Sequence, residues 1–589
     1  MLSQTRYRVQ AVDLDYYKRN IPCQYGCPAH TDARGYVNAI AAGDFERAYY
    51  IARQPNPFAT ACGRICMAPC EPASRRGKVD TPIPIRALKR FVTQRYGVEG
   101  EYSFPTAPPG QDNSRTYESQ QAIGSQRGEG RVAVVGSGPA GLTCAEYLAR
   151  KGYSVTVFEA LPQPGGMLRV GIPAYRLPKE VLDREIAEIE RVGVTIKTGT
   201  PVNSVAELQE QGFDAIFVAV GAHLGQRIGA EGEEGVATEA VTFLRQVALG
   251  QPVTVGQRVA VVGAGNAAID AARTALRLGA KEVTILYRRT RQEMPAIEEE
   301  VHGAESEGVN LVLLVAPQRM WREGEAIKVE LVRMRLGEVD ASGRRRPEPV
   351  EGSEFVREFD TVIAAVGQAP ELPPGFDLPT VRGNTLSVAE DTLATPVPGV
   401  FAGGDCVTGP ASVIQSIAQG HRAARAVDAF LQGKRARVQS RSWLEPVDPS
   451  HFFDLPYLHV ERQDPPVHPF TKEGDIEEAY AEEEAVTQAR RCLTCHLQTV
   501  FDGQKCILCG GCVDVCPTNC LKLVSIDQVY GEGPVSALME QDTPDGRRPV
   551  AAMIKDETRC IRCGLCQRRC PTEAVQLMAF WFEEEVVYD

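Results

Sequence analysis

The sequence predicts an α/β protein with two parallel βαβ domains of Rossmann-like, nucleotide-binding type in mid-chain. A helical domain precedes them and a small α+β domain follows. Three observations carry this. Short β-branched runs (RVAVVG, SVTVFEA, DAIFVAVG, EVTILYRR, TVIAAVG) alternate with amphipathic stretches from Arg131 onward, the pattern of strands joined by crossover helices. The string RVAVVG, followed by a small-residue turn, occurs at 131 and again at 258, which indicates two such domains. Apart from Cys144 and Cys406, the 18 cysteines gather in 23–70 and 492–570, mostly two or three residues apart. In a chain whose start shows no export signal that is metal-ligand spacing, and disulfides are not expected.

A chain of 589 residues is too long for one core. The helical domain is placed at 1–100 and a Pro/Gly/Ser/Gln-rich linker at 101–130. The first nucleotide domain is placed at 131–240 and 360–435, and the second at 241–359. A linker at 436–496 and the cysteine-dense α+β domain at 497–589 complete the division. No apolar run approaches the ~20 residues of a membrane span, and the first residues lack a signal-peptide core, so a cytoplasmic location is expected. A net charge of −12 argues against nucleic acid or an anionic membrane as partner.

Gly136-Ser137-Gly138-Pro139-Ala140-Gly141 follows a strand and opens a helix, and Glu159 ends the next strand, where a carboxylate can accept from ribose hydroxyls. Pyrophosphate then meets the helix N-terminus. The second copy is Gly263-Ala-Gly265-Asn266-Ala267-Ala268. Its following strand ends in Arg288 and Arg289 instead of an acid, a pair suited to a 2′-phosphate, so NADP(H) is expected over NAD(H). Two solvated arginines would be the plain alternative. Arg344–Arg346 reads as a charged hairpin tip.

The tail carries Cys506-x2-Cys509-x2-Cys512-x3-Cys516-Pro and Cys560-x2-Cys563-x2-Cys566-x3-Cys570-Pro. This is the bacterial two-cluster ferredoxin run, in which the cysteine before each Pro crosses to the other 4Fe–4S cube. The expected sets are Cys506, Cys509, Cys512, Cys570 and Cys560, Cys563, Cys566, Cys516, with Cys520 a structural thiol. Cys23-x3-Cys27-Pro and Arg491-Cys492-Leu-Thr-Cys495 are orphan pairs at opposite ends of the chain. His496 is expected to be solvated.

On these motifs, residues 1–435 resemble the small subunit of NADPH-dependent glutamate synthase. That scaffold, of flavin disulfide-reductase-like architecture, also forms the N-terminal half of dihydropyrimidine dehydrogenase and the large subunit of an electron-bifurcating ferredoxin:NADP oxidoreductase. The resemblance implies FAD at the first fingerprint, with the Pro164–Lys179 loop (Gly166, Leu168) around it. Gly367 lies where the chain returns, Asp405 at the ribityl–phosphate end, and the helix beginning at Val413 points at the flavin. In these families an R-C-L-x-C run directly precedes C-x3-C-P, which implies that Cys23, Cys27, Cys492 and Cys495 share one cluster; a zinc site or two unrelated pairs are the alternatives. Cys62, Cys66 and Cys70 resemble a further cluster motif in which Ser74 stands where a cysteine is common. Three to four clusters, FAD and NADP(H) follow, with hydride passing cofactor to cofactor and no catalytic side chain.

The implied role is an electron-transfer subunit of a hetero-oligomeric complex. Its partner would be a ferredoxin or an iron–sulfur oxidoreductase subunit, for example of 2-oxoacid:ferredoxin oxidoreductase type. The alternatives are a stand-alone NADPH:ferredoxin reductase, a glutamate synthase small subunit, and a non-catalytic ferredoxin adaptor.

Overall fold

The structure is a computed structural model. It describes residues 5–10, 12–100, 129–340, 343–434, 436–447, 459–468, 475–533, 535–537 and 550–588. Most of the 101–130 linker and parts of the 436–496 segment lie outside these residues.

Residues 14–96 form short helices, from Leu14–Arg19 to Ile85–Tyr96. Asp13, Asp32 and Asp44 start three of them by accepting backbone N–H bonds at the N-cap. The first nucleotide domain is a five-stranded parallel sheet in the order Val400–Ala402, Ala215–Val218, Arg131–Val135, Ser154–Phe158, Thr195–Lys197. The helices Pro139–Arg150 and Val413–Leu431 lie along it. The second is also five-stranded and parallel, in the order Asn310–Leu313, Glu282–Tyr287, Arg258–Val262, Thr361–Ala364, Ala237–Glu239.

Two strands therefore differ from the expected boundaries. Ala237–Glu239 and Thr361–Ala364 were placed with the first domain, yet both pair in the second sheet. The reason is the partner row. Val362 and Ile363 are buried against Ala260 and Val261, so the chain returns to the first domain only after Gly367. The Arg345–Pro349 strand pairs with Ala326–Val339, placing the arginine run at a hairpin end.

The segment from 436 does not begin as a linker. Ala436–Pro446 is a strand, antiparallel to the C-terminal strand Val575–Tyr588, which in turn pairs with Leu497–Phe501. An N-terminal strand, Tyr7–Arg8, pairs with Val529–Tyr530. Both ends of the chain are thus tied to the cysteine-rich C-terminal domain.

Candidate functional site

Gly138 caps the helix Pro139–Arg150 at the end of the first strand. A Cβ on Gly138 would meet nothing within 4 Å, so the helix N-terminus opens onto free space where a pyrophosphate fits. Gly166 (φ 54°) closes one side; a Cβ there would come within 2.7 Å of Gly138 Cα. Glu159 is buried beside the turn and accepts the backbone N–H of Ser137 at 2.9 Å and that of Leu161 at 2.8 Å. Leu168 is buried behind the Gly166 loop. Asp405 opens a short helix and accepts from Ala411 N–H at 3.2 Å and from the Ser416 hydroxyl at 3.4 Å. Burial pushes its carboxyl up to about 6. The helix Val413–Leu431 starts from a Ser412/Gln415 capping box. The structure gathers these residues at the C-terminal edge of the sheet, where a parallel α/β sheet binds its ligand.

In the second domain Gly265 caps the helix Asn266–Arg277. Asn266 Oδ1 accepts the Ile297 N–H at 3.0 Å, folding the Tyr287–Ala296 segment over the turn. Ala268 is fully buried at the base of that helix and Gly367 follows the neighbouring strand. The two arginines part company. Arg288 is exposed. Arg289 is buried and committed elsewhere, to Asp340 at 2.7 Å and to the Arg345 carbonyl at 2.8 Å. Its place at the tip of the cradle, read from sequence, is therefore corrected: the hairpin holds it. A buried pair that sequence reasoning missed joins the two cradles. Arg176, from the loop of the first, meets Asp270 on the helix of the second at 2.8 Å and Glu300 at 3.1 Å.

The thiols fall into sets. Cys506, Cys509, Cys512 and Cys570 line one hollow. Cys516, Cys560, Cys563 and Cys566 line another, with Cys520 among them. A third hollow is lined by Cys23, Cys492 and Cys495, and also by Ser74. Cys27 was expected with that set but packs in one core with Cys62 and Cys66. The helix Pro22–Tyr25 stops short of it, so Cys23 and Cys27 do not stack on a common face. Cys27 Sγ instead faces the Thr31 hydroxyl at 3.6 Å. Cys70, expected with Cys62 and Cys66, starts the short helix Cys70–Ala73 and lies between the sets, with Cys66 and Cys27 near it and a core shared with Cys23 and Cys492. Among the described residues no three His, Cys, Asp or Glu side chains form a single-ion site. Three of the sets ring hollows instead, while Cys27, Cys62 and Cys66 are packed together in a core.

Arg491 fixes the returning Cys492/Cys495 segment. It is fully buried and donates to the carbonyls of Thr81 at 2.8 Å, Val460 at 3.0 Å and Pro82 at 3.2 Å, and pairs with Asp80 at 3.0 Å. Beyond it, Leu493 and Cys495 pack against Ile561 and Cys563, so the third set touches the second. Arg562 is buried at this junction, held by Glu557 at 2.6 Å and by the Leu497 carbonyl. His496 is half-buried where a solvated residue was expected: it packs on Trp581, ring centroids 5.4 Å apart, and burial lowers its pKa well below the usual histidine value.

The signature of the pyridine nucleotide-disulphide oxidoreductases matches residues 93–211 and 130–420. That of dihydropyrimidine dehydrogenase domain II, a 4Fe-4S cluster domain, matches 16–100, and that of the 4Fe-4S dicluster domain 505–574. The NADP(+)-dependent formate dehydrogenase subunit beta of Moorella thermoacetica is 43% identical over 505 residues, 81% of this chain and 70% of that protein. The NADPH-Fe(3+) oxidoreductase subunit beta of Geobacter sulfurreducens is 39% identical over 524 residues, 81% and 75% of the two chains. The glutamate synthase [NADPH] small chain of Azospirillum brasilense is 35% identical over 432 residues, 70% and 86%.

The chain belongs to the pyridine nucleotide-disulphide oxidoreductase family. Within it, it is a glutamate synthase small subunit-like oxidoreductase of FAD, NADP(H) and 4Fe–4S clusters, with an iron–sulfur domain at each end. No helix among the described residues is long and apolar enough to cross a membrane.

Proposed function

We propose that this chain is the electron-transfer subunit of a hetero-oligomeric, NADP(H)-linked oxidoreductase, with clusters held by four thiol sets. Cys27, Cys62 and Cys66 hold the first, and Cys23, Cys70, Cys492 and Cys495 the second. The third takes Cys516, Cys560, Cys563 and Cys566, and the last Cys506, Cys509, Cys512 and Cys570. When bound, FAD exchanges electron pairs with the nicotinamide and single electrons with the clusters.

The observation that carries this reading is the continuous file the sets make. Cys27 and Cys62 share the core of the first nucleotide domain with Ala140, Leu142 and Leu168. Cys70 is the link onward, since its surroundings include Cys66 and Cys27 on one side and Cys23 on the other. Cys495 and Cys563 meet in the packing of Leu493 and Ile561. The last set reaches the surface: Cys509 is exposed, beside Ile507 at 63% and Leu508 at 44% exposure. Arg288, exposed beside the second glycine turn, is the residue left to meet a 2′-phosphate. The two relatives named as beta subunits support a partner subunit that carries the substrate chemistry, and the first of them favours a dehydrogenase of formate type over a 2-oxoacid oxidoreductase.

The test is anaerobic iron and sulfide quantification with electron paramagnetic resonance. About 16 irons per chain are expected for four cubes, with flavin bands bleached by NADPH. Cys495→Ser should lose about four irons and slow reduction of the ferredoxin-type clusters by NADPH. Unchanged rates in that variant would overturn the file.

A further inference from the structure

The helix Ile85–Tyr96 presents three cations to the N-terminal core, and they are treated differently. Arg86 pairs with Glu477 at 2.8 Å, and Arg90 with Asp475 at 3.1 Å and Glu477 at 3.3 Å. Lys89, between them, is 7% exposed and has no carboxylate partner among the described residues. Its ammonium lies 5.6 Å from the centre of the Tyr36 ring. The groups whose charge bears on it are Cys62, Cys27, Cys66 and Cys70.

The packing that brings it there is close. A Cβ on Gly63 would come within 2.9 Å of Arg90 Cα. The helix Ala59–Ile65, which carries Cys62, therefore meets this helix backbone to backbone, at Arg90, the residue next to Lys89. A buried ammonium without a counter-charge is strongly disfavoured. Among the described residues no ion pair to an acid offsets that cost, whereas ionised thiols would. In a cysteine-ligated cluster those thiols are anionic, and a neighbouring cation favours the more negative, reduced form.

We propose that Lys89 is the counter-charge of the cluster held by Cys27, Cys62 and Cys66, lifting its reduction potential above that set by the thiolates alone. The inference rests on the assignment of those thiols to one cluster. Lys89 acts as a positioning residue for charge, touching neither nucleotide. It makes the cluster packed against the first nucleotide domain the readier one-electron acceptor.

The experiment is an anaerobic potentiometric titration of the full chain followed by paramagnetic resonance, with iron counted in parallel. Cys62→Ser identifies the signal of this cluster in the wild type. If Cys62→Ser removes no signal, the ligand assignment fails and the proposal with it. Lys89→Met is expected to lower the midpoint of that signal alone, while Lys89→Arg retains both midpoint and iron. Loss of this cluster's iron in Lys89→Met, but not in Lys89→Arg, would equally support a need for charge. An unmoved midpoint with full iron in Lys89→Met would overturn the proposal, as would equal iron loss in both variants, which would mark Lys89 as packing only.

Discussion

The two cysteine-rich ends of this chain solve one problem in opposite ways. The C-terminal domain builds its thiol sets from two runs 54 residues apart (506 to 560), each nearly complete in itself. The N-terminal domain completes its set with Cys492 and Cys495, more than 460 residues after Cys23 and Cys27. In the first case the ligand spacing supplies the geometry. In the second the fold does, through Arg491, Arg76 and the helix Glu482–Ala489 laid on Ala33–Ala41. A local cluster can assemble as its loop folds, whereas a split one reports that the whole chain has come together.

The largest effect should come from breaking the split site at its anchor. Arg491→Met removes a fully buried guanidinium from three carbonyls and Asp80, a change worth about 3 kcal/mol or more. The expected result is a lower melting temperature together with loss of about four irons. Cys512→Ser in the local set should lose a similar amount of iron while leaving melting of the nucleotide domains in place. Equal thermal loss in both variants would erase the contrast between the two ends.

This contrast also sets what could be read from the chain alone. The glycine turns, Glu159 and the two ferredoxin runs were legible because each is a short pattern with its own local geometry. That Cys492 and Cys495 return to the N-terminal domain showed in the residues as two orphan pairs in want of partners, and their joining was implied by the family resemblance. Which of Cys23 and Cys27 joins them was not legible, since it depends on the helix Pro22–Tyr25 ending before Cys27. Likewise the strand Thr361–Ala364 has the composition of either sheet; only its burial against Arg258–Val262 decides. Arg176, Arg562 and Lys89 were given no role by the motifs around them. They are buried charges, and burial is a property of the fold.

The two nucleotide cradles sharpen the same point at smaller scale. Arg288 and Arg289 are adjacent in sequence but opposite in role, one exposed and one locked to Asp340. Arg288→Gln is expected to raise the KM for NADPH by about tenfold or more, the loss of a charge-assisted contact of about 1.5 kcal/mol or more, with NADH little affected. Arg289→Gln should lower the melting temperature without changing the NADPH to NADH preference. Steady-state kinetics with both nucleotides checks this, and an equal loss of NADPH preference in the two variants would show that Arg289 leaves its hairpin to bind.

The smallest effect lies where the N-terminal domain docks on the first nucleotide domain. Glu185 is 2% exposed and accepts the backbone N–H groups of Thr60 at 2.6 Å and Ala61 at 3.1 Å, at the start of the helix that carries Cys62. Burial outweighs these donors and raises its carboxyl from 4.5 to about 7. Between those two values the folded chain holds a proton that the unfolded chain has released. The stability this proton supplies is therefore lost as pH rises through that window, and the curve levels off above it. Glu185→Gln has no proton to lose. Denaturation midpoints of the two proteins, measured from pH 5 to 8, should diverge in the variant's favour as pH rises toward 7; a constant difference would show that the carboxyl is ionised at the dock throughout. Among the described residues the C-terminal domain, whose thiol sets are closed by their own loops, shows no acid with a raised pKa at its ligand helices, so this pH dependence belongs to the end of the chain that must be assembled.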